Sequence, residues 1–240
     1  MSASISTAPA TAPEPPPLER GPGAWLERRL QELDPLWVAV GLFVLALVVY
    51  LGSNPARHDF YDHFVWQADA FLHGRAEIEY PVSGGPHRND YFQDVLPVSE
   101  DRAQIPFPPL PAVVLLPFVA AWGLGTNGAA VAAVLGAVNV VLCWAMLLHV
   151  TRRRSAALLG TLFYGFGTVA WYAAMLGTTW FLAHVVASTC LFIAITLALR
   201  ADAAGPRAAT ETPRRVLGRQ FAAGIAFGAA ATARLTTIVG

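Results

Sequence analysis

Residues 128–150 read GAAVAAVLGAVNVVLCWAMLLHV, and residues 151–154, which close them, read TRRR. A helix rises 1.5 Å per residue, so a run of this length covers the roughly 30 Å of a bilayer's hydrocarbon core. The uncharged context is wider still. Residues 103–151 contain no Asp, Glu, Lys or Arg, and neither do residues 155–199. Charged residues make up 13% of the 240, against about 25% in an ordinary soluble domain. A 25.6 kDa soluble protein has too little interior to hide two such stretches. That excludes a soluble globular enzyme, a nucleic-acid-binding domain and a disordered chain. The fold class is all-α, a polytopic integral membrane protein whose first partner is the lipid bilayer.

Outward from that run, the chain divides by composition. Residues 1–23 are rich in Pro, Ala, Ser and Thr and read as a disordered tail. No early apolar run marks a cleavable signal. Residues 24–34 (AWLERRLQELD) place Trp25, Leu26, Leu30 and Leu33 on one helical face, the pattern of an interfacial amphipathic helix. The membrane domain is 36–240. Its expected spans are 36–52, 128–150, 156–174, 178–199 and 221–240, about five in all, with a tight turn near Gly177. Gly240 ends an apolar run without a polar exit, so the chain reads as part of a longer protein. Cys143 and Cys190 lie within apolar runs and suggest neither a disulfide nor a metal site.

Arginine placement sets the expected topology. All sixteen basic residues are Arg, which with the heavy Ala usage suggests a GC-rich bacterial genome. The positive-inside rule puts Arg20, Arg28 and Arg29 in the cytoplasm together with Arg152, Arg153 and Arg154 and the Arg200–Arg219 loop. An even number of crossings must then separate Arg29 from Arg152, yet three apolar segments lie between them. The segment 106–123 carries all five prolines of IPFPPLPAVVLLPFVAAWG (105–123) and reads as a helix dipping into the outer leaflet, because proline interrupts the helical ladder. The alternative is that it spans and the arginine cluster lies outside. The first reading makes 53–127 a large external loop and the N-terminus cytoplasmic, in a bacterial inner membrane.

That loop holds nine acidic residues and four Arg up to residue 104. Within it, 62–73 reads as a juxtamembrane helix with Phe64, Ala68, Phe71 and Leu72 on one face and Gly74 as its cap. Asp59 and Asp62 stand at its start. As structural residues they would be the N-cap and N3 carboxylates; as functional ones, either could be a general base. His58, Asp59, Asp62 and His63 form two i, i+4 pairs, a ligand spacing that leaves a divalent metal open as a cofactor. Residues 94–106 read as a small hairpin. His184 and Arg234 lie inside apolar segments and are read as structural, while Trp171, Tyr172 and Trp180 look like an aromatic belt.

The order of these features is familiar. One span is followed by an acidic residue opening a helix, HFVWQADAFLHG (63–74), then a polar stretch and Pro106-Phe107-Pro108-Pro109-Leu110. This resembles the N-terminal part of membrane glycosyltransferases of the GT-C fold, especially bacterial relatives of the protein mannosyltransferases and aminoarabinose transferases. The resemblance covers about residues 36–240. It implies that Asp62 is the catalytic acid position, with Asp59 the second choice, and that Pro108 and Pro109 are the family's Pro-Pro pair. Phe107 stands where the family often has His. The resemblance further implies a polyprenyl-phosphate-linked sugar as donor and transfer to an acceptor on the outer face. Arg57, Arg88 or Arg102 would then pair with the donor phosphate. Two other classes remain open: a transporter or lipid flippase, and a non-catalytic scaffold of envelope biogenesis.

Overall fold

The computed structural model describes residues 22–55, 61–80, 94–201 and 213–238. Helix α1 (Pro22–Glu32) meets α2 (Pro35–Ser53) at a joint written in two residues. The Asp34 carboxylate accepts from the Leu36 N–H at 2.8 Å, and Pro35 opens α2 where a missing N–H costs nothing. A short helix α3 (His63–Leu72) follows. Then come the strands β1 (Ile78–Glu79), β2 (Leu96–Pro97) and β3 (Arg102–Gln104), and the apolar helix α4 (Leu110–Trp122). Asn127 caps α5 (Gly128–Val150), its side chain accepting from the Ala130 N–H at 2.8 Å. Helices α6 (Arg154–Gly167), α7 (Val169–Leu176), α8 (Thr179–Ala201) and α9 (Pro213–Ala233) complete the bundle, and a 3-10 turn over Leu235–Ile238 ends the described chain.

The protein is a mostly helical membrane protein. Three helices, α2, α5 and α8, are long and apolar enough to cross a bilayer; the pair α6 and α7 makes a fourth if it is one span bent by 53°. The break falls at Thr168, whose extended backbone separates the two helices and whose hydroxyl accepts from the Ala170 N–H. The uninterrupted span anticipated over 156–174 is therefore broken. Helix α9 carries Arg214, Arg215 and Arg219 in its first two turns and is not among the helices apolar enough to span. Its helical path stops at Ala233, short of the 221–240 run anticipated from sequence. Helix α4 has 13 residues, about 20 Å of rise, which is too short for the hydrocarbon core.

Contacts at the helix ends sort the bundle into two ends. At one end, Glu27 of α1 reaches the start of α6. Its Oε1 accepts from the Arg154 N–H at 3.0 Å, and its Oε2 accepts from the Ser155 N–H at 2.8 Å and the Ser155 hydroxyl at 2.5 Å. Arg154 returns the bond: its Nη1 donates to the carbonyls of Leu30 and Leu33, each at 2.7 Å. Each helix thus supplies the cap that the other's terminus lacks. The packed face of α1 is Ala24, Glu27 and Leu30, whereas Trp25 is 56% exposed, turned away from the protein. At the other end, Asn54 Nδ2 donates to the Met175 carbonyl at 3.1 Å, and Trp171 Nε1 donates to Ser53 Oγ at 3.2 Å. The start of α5 lies at this second end too, close under Gly177. The chain after α2 therefore leaves and rejoins the bundle at the same end.

The core centres on α5. Leu42, Ala46 and Tyr50 of α2 meet Ala133, Ala137, Val140 and Trp144 of α5, with Ala157, Ala173, Ala174 and Val185 closing the cluster. Small residues on these faces let the backbones approach, as membrane helices require. Asn139 adds a polar link, its Nδ2 donating to the Val185 carbonyl at 2.9 Å while its Oδ1 accepts from the Thr189 hydroxyl at 2.7 Å. Gly177 ends α7 at φ 58°, and a Cβ there would stand 2.5 Å from Ala129 Cα, so the turn admits glycine alone.

The three strands form an antiparallel sheet in the order β1-β3-β2, with Ile78 opposite Ala103 and Leu96 opposite Gln104. Helix α3 is wedged between this sheet and α4. Phe64, Val65 and Ala68 pack with Ala112, Leu115 and Val119 of α4, while Trp66 and Ala70 pack with Ile78, Val95, Ala103 and Ile105. Rather than lying with one wet face on the membrane, α3 is buried along nearly its whole length.

Glu27 is buried. Burial alone would raise its pKa, but the hydrogen bonds from Ser155, Arg154 and Gln31 outweigh this and hold it below the ordinary value. Its contribution to stability is therefore full above about pH 4.5 and is lost as pH falls through the lower folded value. Glu27→Ala should lower unfolding free energy by about 1–3 kcal/mol, the cost of leaving buried N–H groups unmet. Exposed Glu32→Ala should cost no more than about 0.5 kcal/mol. Denaturant unfolding of both variants in detergent micelles, at neutral and acid pH, measures the difference.

Candidate functional site

The start of α3 gathers most of the chemistry-bearing side chains at the second end of the bundle. Asp62 is the N-cap residue of α3, not its N3 residue, and its backbone carbonyl accepts from the Val65 and Trp66 N–H groups at 2.9 and 3.0 Å. Its carboxylate does not cap the helix, though the residue is only 8% exposed. The capping role that alone would explain this carboxylate is therefore not the one it fills.

Tyr61, just before it, has φ 61°, a left-handed conformation that is uncommon for a bulky residue and costs about 1–3 kcal/mol of strain. Thr179, the first residue of α8, holds that turn in place. Its hydroxyl donates a short hydrogen bond to the Tyr61 carbonyl and lies 2.8 Å from His63 Nδ1. His63 is completely buried, and burial pushes its pKa down, with the Tyr61 carbonyl and the charge of Asp94 acting the other way.

An aromatic shell surrounds the imidazole. Trp66 and Phe107 have centroids 5.0 and 5.4 Å from His63, and Tyr61 stacks at 6.4 Å. Phe107 also meets Trp180 at 6.5 Å, and Trp180 meets Tyr61 at 5.2 Å. Tyr61 and Trp180 remain 39% and 37% exposed, so their paired rings border the surface.

The other anticipated residues distribute unevenly. Pro108 and Pro109 lead into α4, with Pro109 at its N-cap, so the helix begins at Leu110 and not at 106. Arg102 lies in β3, the central strand, 3.7 Å from the Asp101 carboxylate. Arg57, His58 and Asp59, and separately Arg88, lie outside the described residues. Of the four metal-ligand candidates only Asp62 and His63 are described, and no group of three His, Cys, Asp or Glu converges among the described residues. Sequence reasoning overlooked Tyr61, Thr179, Asp94 and the position of Trp180. The tyrosine between Phe60 and Asp62 gave no signal of strain, and a tryptophan at a span's end has the same signature whether it anchors in lipid or lines a site.

A second polar feature lies deeper. Where α6 breaks into α7, a cavity of about 190 Å³ is lined by Tyr50, Asn139, Tyr164, Thr168, His184 and Ser188, among others. The Tyr50 hydroxyl donates to the Gly165 carbonyl at 2.9 Å, meeting a group the break sets free. The α5–α8 link falls to Asn139, while His184 faces this cavity.

No family model, no curated protein and no solved structure matches the chain.

Because His63 is held neutral, unfolding exposes an imidazole that binds a proton more readily. Stability from this residue is full above about pH 6.5 and falls as pH drops below that value toward the folded pKa. Thermal unfolding across this interval should show the loss, and His63→Gln should flatten it.

Proposed function

We propose that the chain carries the donor-side active site of a membrane glycosyltransferase. It would move a sugar from a polyprenyl-phosphate donor to an acceptor on the outer face, with Asp62 as general base. One observation carries the reading: Asp62, a largely buried residue that opens α3, directly follows Tyr61, whose half-exposed ring pairs with Trp180 at the start of α8. Aromatic faces suit sugar rings, and a carboxylate suits proton abstraction. In the reaction, Asp62 takes the proton of the acceptor hydroxyl. The acceptor oxygen bonds to the sugar's anomeric carbon, and the bond from that carbon to the phosphate oxygen breaks. Its electron pair leaves with the polyprenyl phosphate. The resemblance of 62–74 and 106–110 to the GT-C enzymes supports this assignment.

The topology belongs to the same proposal. Helices α2, α5, α6 with α7, and α8 cross a bacterial inner membrane, and α9 makes the fifth crossing not by its own apolarity but by running beside α8, from Arg219 at the Arg200 carbonyl to Arg234 at the Trp180 carbonyl. The end that holds Glu27 and Arg154 is cytoplasmic, in keeping with the arginines clustered there. The end that holds Asp62 is external, as the chemistry requires. A divalent metal on Asp62 with Asp59, His58 or His63 is an optional addition to this reading.

The cavity at the break in α6–α7 favours a second reading, a transporter or lipid flippase, because broken helices around polar side chains are how such proteins hold cargo. A membrane scaffold is the third, and it predicts that loss of Asp62 has no chemical consequence.

Asp62→Asn should lower sugar transfer from labelled polyprenyl-phosphate sugars by at least about 100-fold, the typical contribution of a general base, with membrane insertion unchanged. Transfer near the parent rate would remove Asp62 from the chemistry. If EDTA abolishes transfer and a divalent ion restores it, the metal joins the mechanism.

A further inference from the structure

At the end of the bundle away from Asp62, a hollow of about 490 Å³ opens where the start of α2, the end of α5 and the start of α6 meet. Pro35, Leu148, His149, Val150, Arg152 and Arg154 line it. Contacts between elements hold its walls. Trp144 Nε1 of α5 donates to the Pro35 carbonyl at 3.3 Å, and Arg154 Nη1 donates to the carbonyls that end α1. The corner between α5 and α6 is fixed as well. The Thr151 N–H donates to the Leu147 carbonyl at 2.9 Å, and the Thr151 hydroxyl accepts from the Arg153 N–H at 3.2 Å.

The charge in this hollow is one-sided. Glu27 accepts from the backbone N–H groups of Arg154 and Ser155 and from the Ser155 hydroxyl, not from the Arg154 guanidinium. Arg154 uses only Nη1 on the α1 carbonyls, which leaves Nε and Nη2 to donate elsewhere. Among the described residues, neither the Arg152 nor the Arg154 guanidinium has a carboxylate partner. Asp34 precedes Pro35, but its carboxylate accepts from the Leu36 N–H and does not line the hollow. Behind the wall, Arg200 Nε donates to His149 Nε2 at 3.1 Å, so a third guanidinium stands against the imidazole. The remaining lining is apolar, from Leu148 and Val150, and Leu36 and Trp37 are exposed in the first turn of α2. The positive-inside bias accounts for arginines gathering at this end. It does not account for two of them lining one preformed hollow with no carboxylate between them.

We propose that this hollow binds the headgroup of an anionic glycerophospholipid. Arg152 and Arg154 receive the phosphate, since guanidinium groups match its oxygens, and the first acyl carbons lie over Leu148 and Val150. Basic pockets between membrane helices take such headgroups. A free phosphate would make no use of the apolar lining, and a zwitterionic lipid would bring its own cation against the arginines. On the topology proposed above the lipid comes from the inner leaflet. The site stands at the opposite end from Asp62 and does not rest on the glycosyltransferase reading.

The test is native mass spectrometry of the full chain in detergent, titrated with phosphatidylglycerol. Arg152→Ala should weaken binding of the first lipid by about fivefold, the worth of one arginine beside an anionic headgroup. Arg152 is exposed and makes no side-chain bond among the described residues, so its loss leaves the fold intact. Arg152→Lys should recover part of the affinity. Arg153 is also exposed but does not line the hollow, so Arg153→Ala should bind as the parent does. Equal losses in Arg152→Ala and Arg153→Ala would show diffuse attraction to a basic surface and overturn the proposal. So would phosphatidylcholine binding the parent as tightly as phosphatidylglycerol, which marks a groove for any lipid. Equal competition by inorganic phosphate, the sign of a free-phosphate site, overturns it too, as does no binding to the parent.

Discussion

The Glu27 carboxylate accepts the N–H groups of Arg154 and Ser155, and Arg154 in turn closes the carbonyl end of α1. This exchange of caps ties residues some 125 positions apart to one end of the bundle. Everything between them must then leave that end and come back. Helices α2 and α5 make the outward and return journeys, and the intervening α3, the sheet and α4 are left at the opposite end. A buried carboxylate is costly unless it is fully hydrogen-bonded. Here each oxygen is occupied, so the link is specific as well as tight.

The same accounting of backbone groups governs the rest of the membrane region. Within a bilayer no water meets an orphaned carbonyl, so each interruption of a helix needs a side chain to repair it. At Thr168 the repair is visible: the Thr168 hydroxyl turns back to the Tyr164 carbonyl at 2.7 Å, and Tyr50 crosses from α2 to Gly165. The space left between these partners is the cavity beside His184. The break is thus stabilised locally, and the polar groups that stabilise it also line a hole.

How much of this could be read from sequence differed by the kind of signal. The spans α2, α5 and α8 were legible because an uncharged run of that length has few other uses. The helices near 62–73 and 106–123 were legible from an apolar face closed by Gly74 and from proline chemistry, but their starts were not: Asp62, not Asp59, is the N-cap of α3 and its carboxylate makes no cap bond, and α4 begins at Leu110. The break at Thr168 was not, since Gly165-Phe166-Gly167-Thr168 sits in an unbroken apolar run and hydropathy is blind to backbone direction. Glu27 read as one charge on the wet face of an amphipathic helix. Its partners begin at Arg154, and no periodicity within α1 points to them. The neighbours of Asp62 come from α8 and the approach to α4, so the environment that distinguishes it from an ordinary cap residue is tertiary.

Tyr61 shows what that environment demands. Glycine would adopt its backbone conformation without strain, and asparagine or aspartate with little. A tyrosine there is the expensive choice, and the Thr179 hydroxyl holds its carbonyl while His63 braces the hydroxyl from behind. The strained turn places the phenol ring on Trp180 at the surface and leaves Asp62 at the head of α3. If the segment served only to start a helix, a smaller residue would do so at lower energy. The ring, set against Trp180 at the surface, is therefore the part of Tyr61 that the strain sustains.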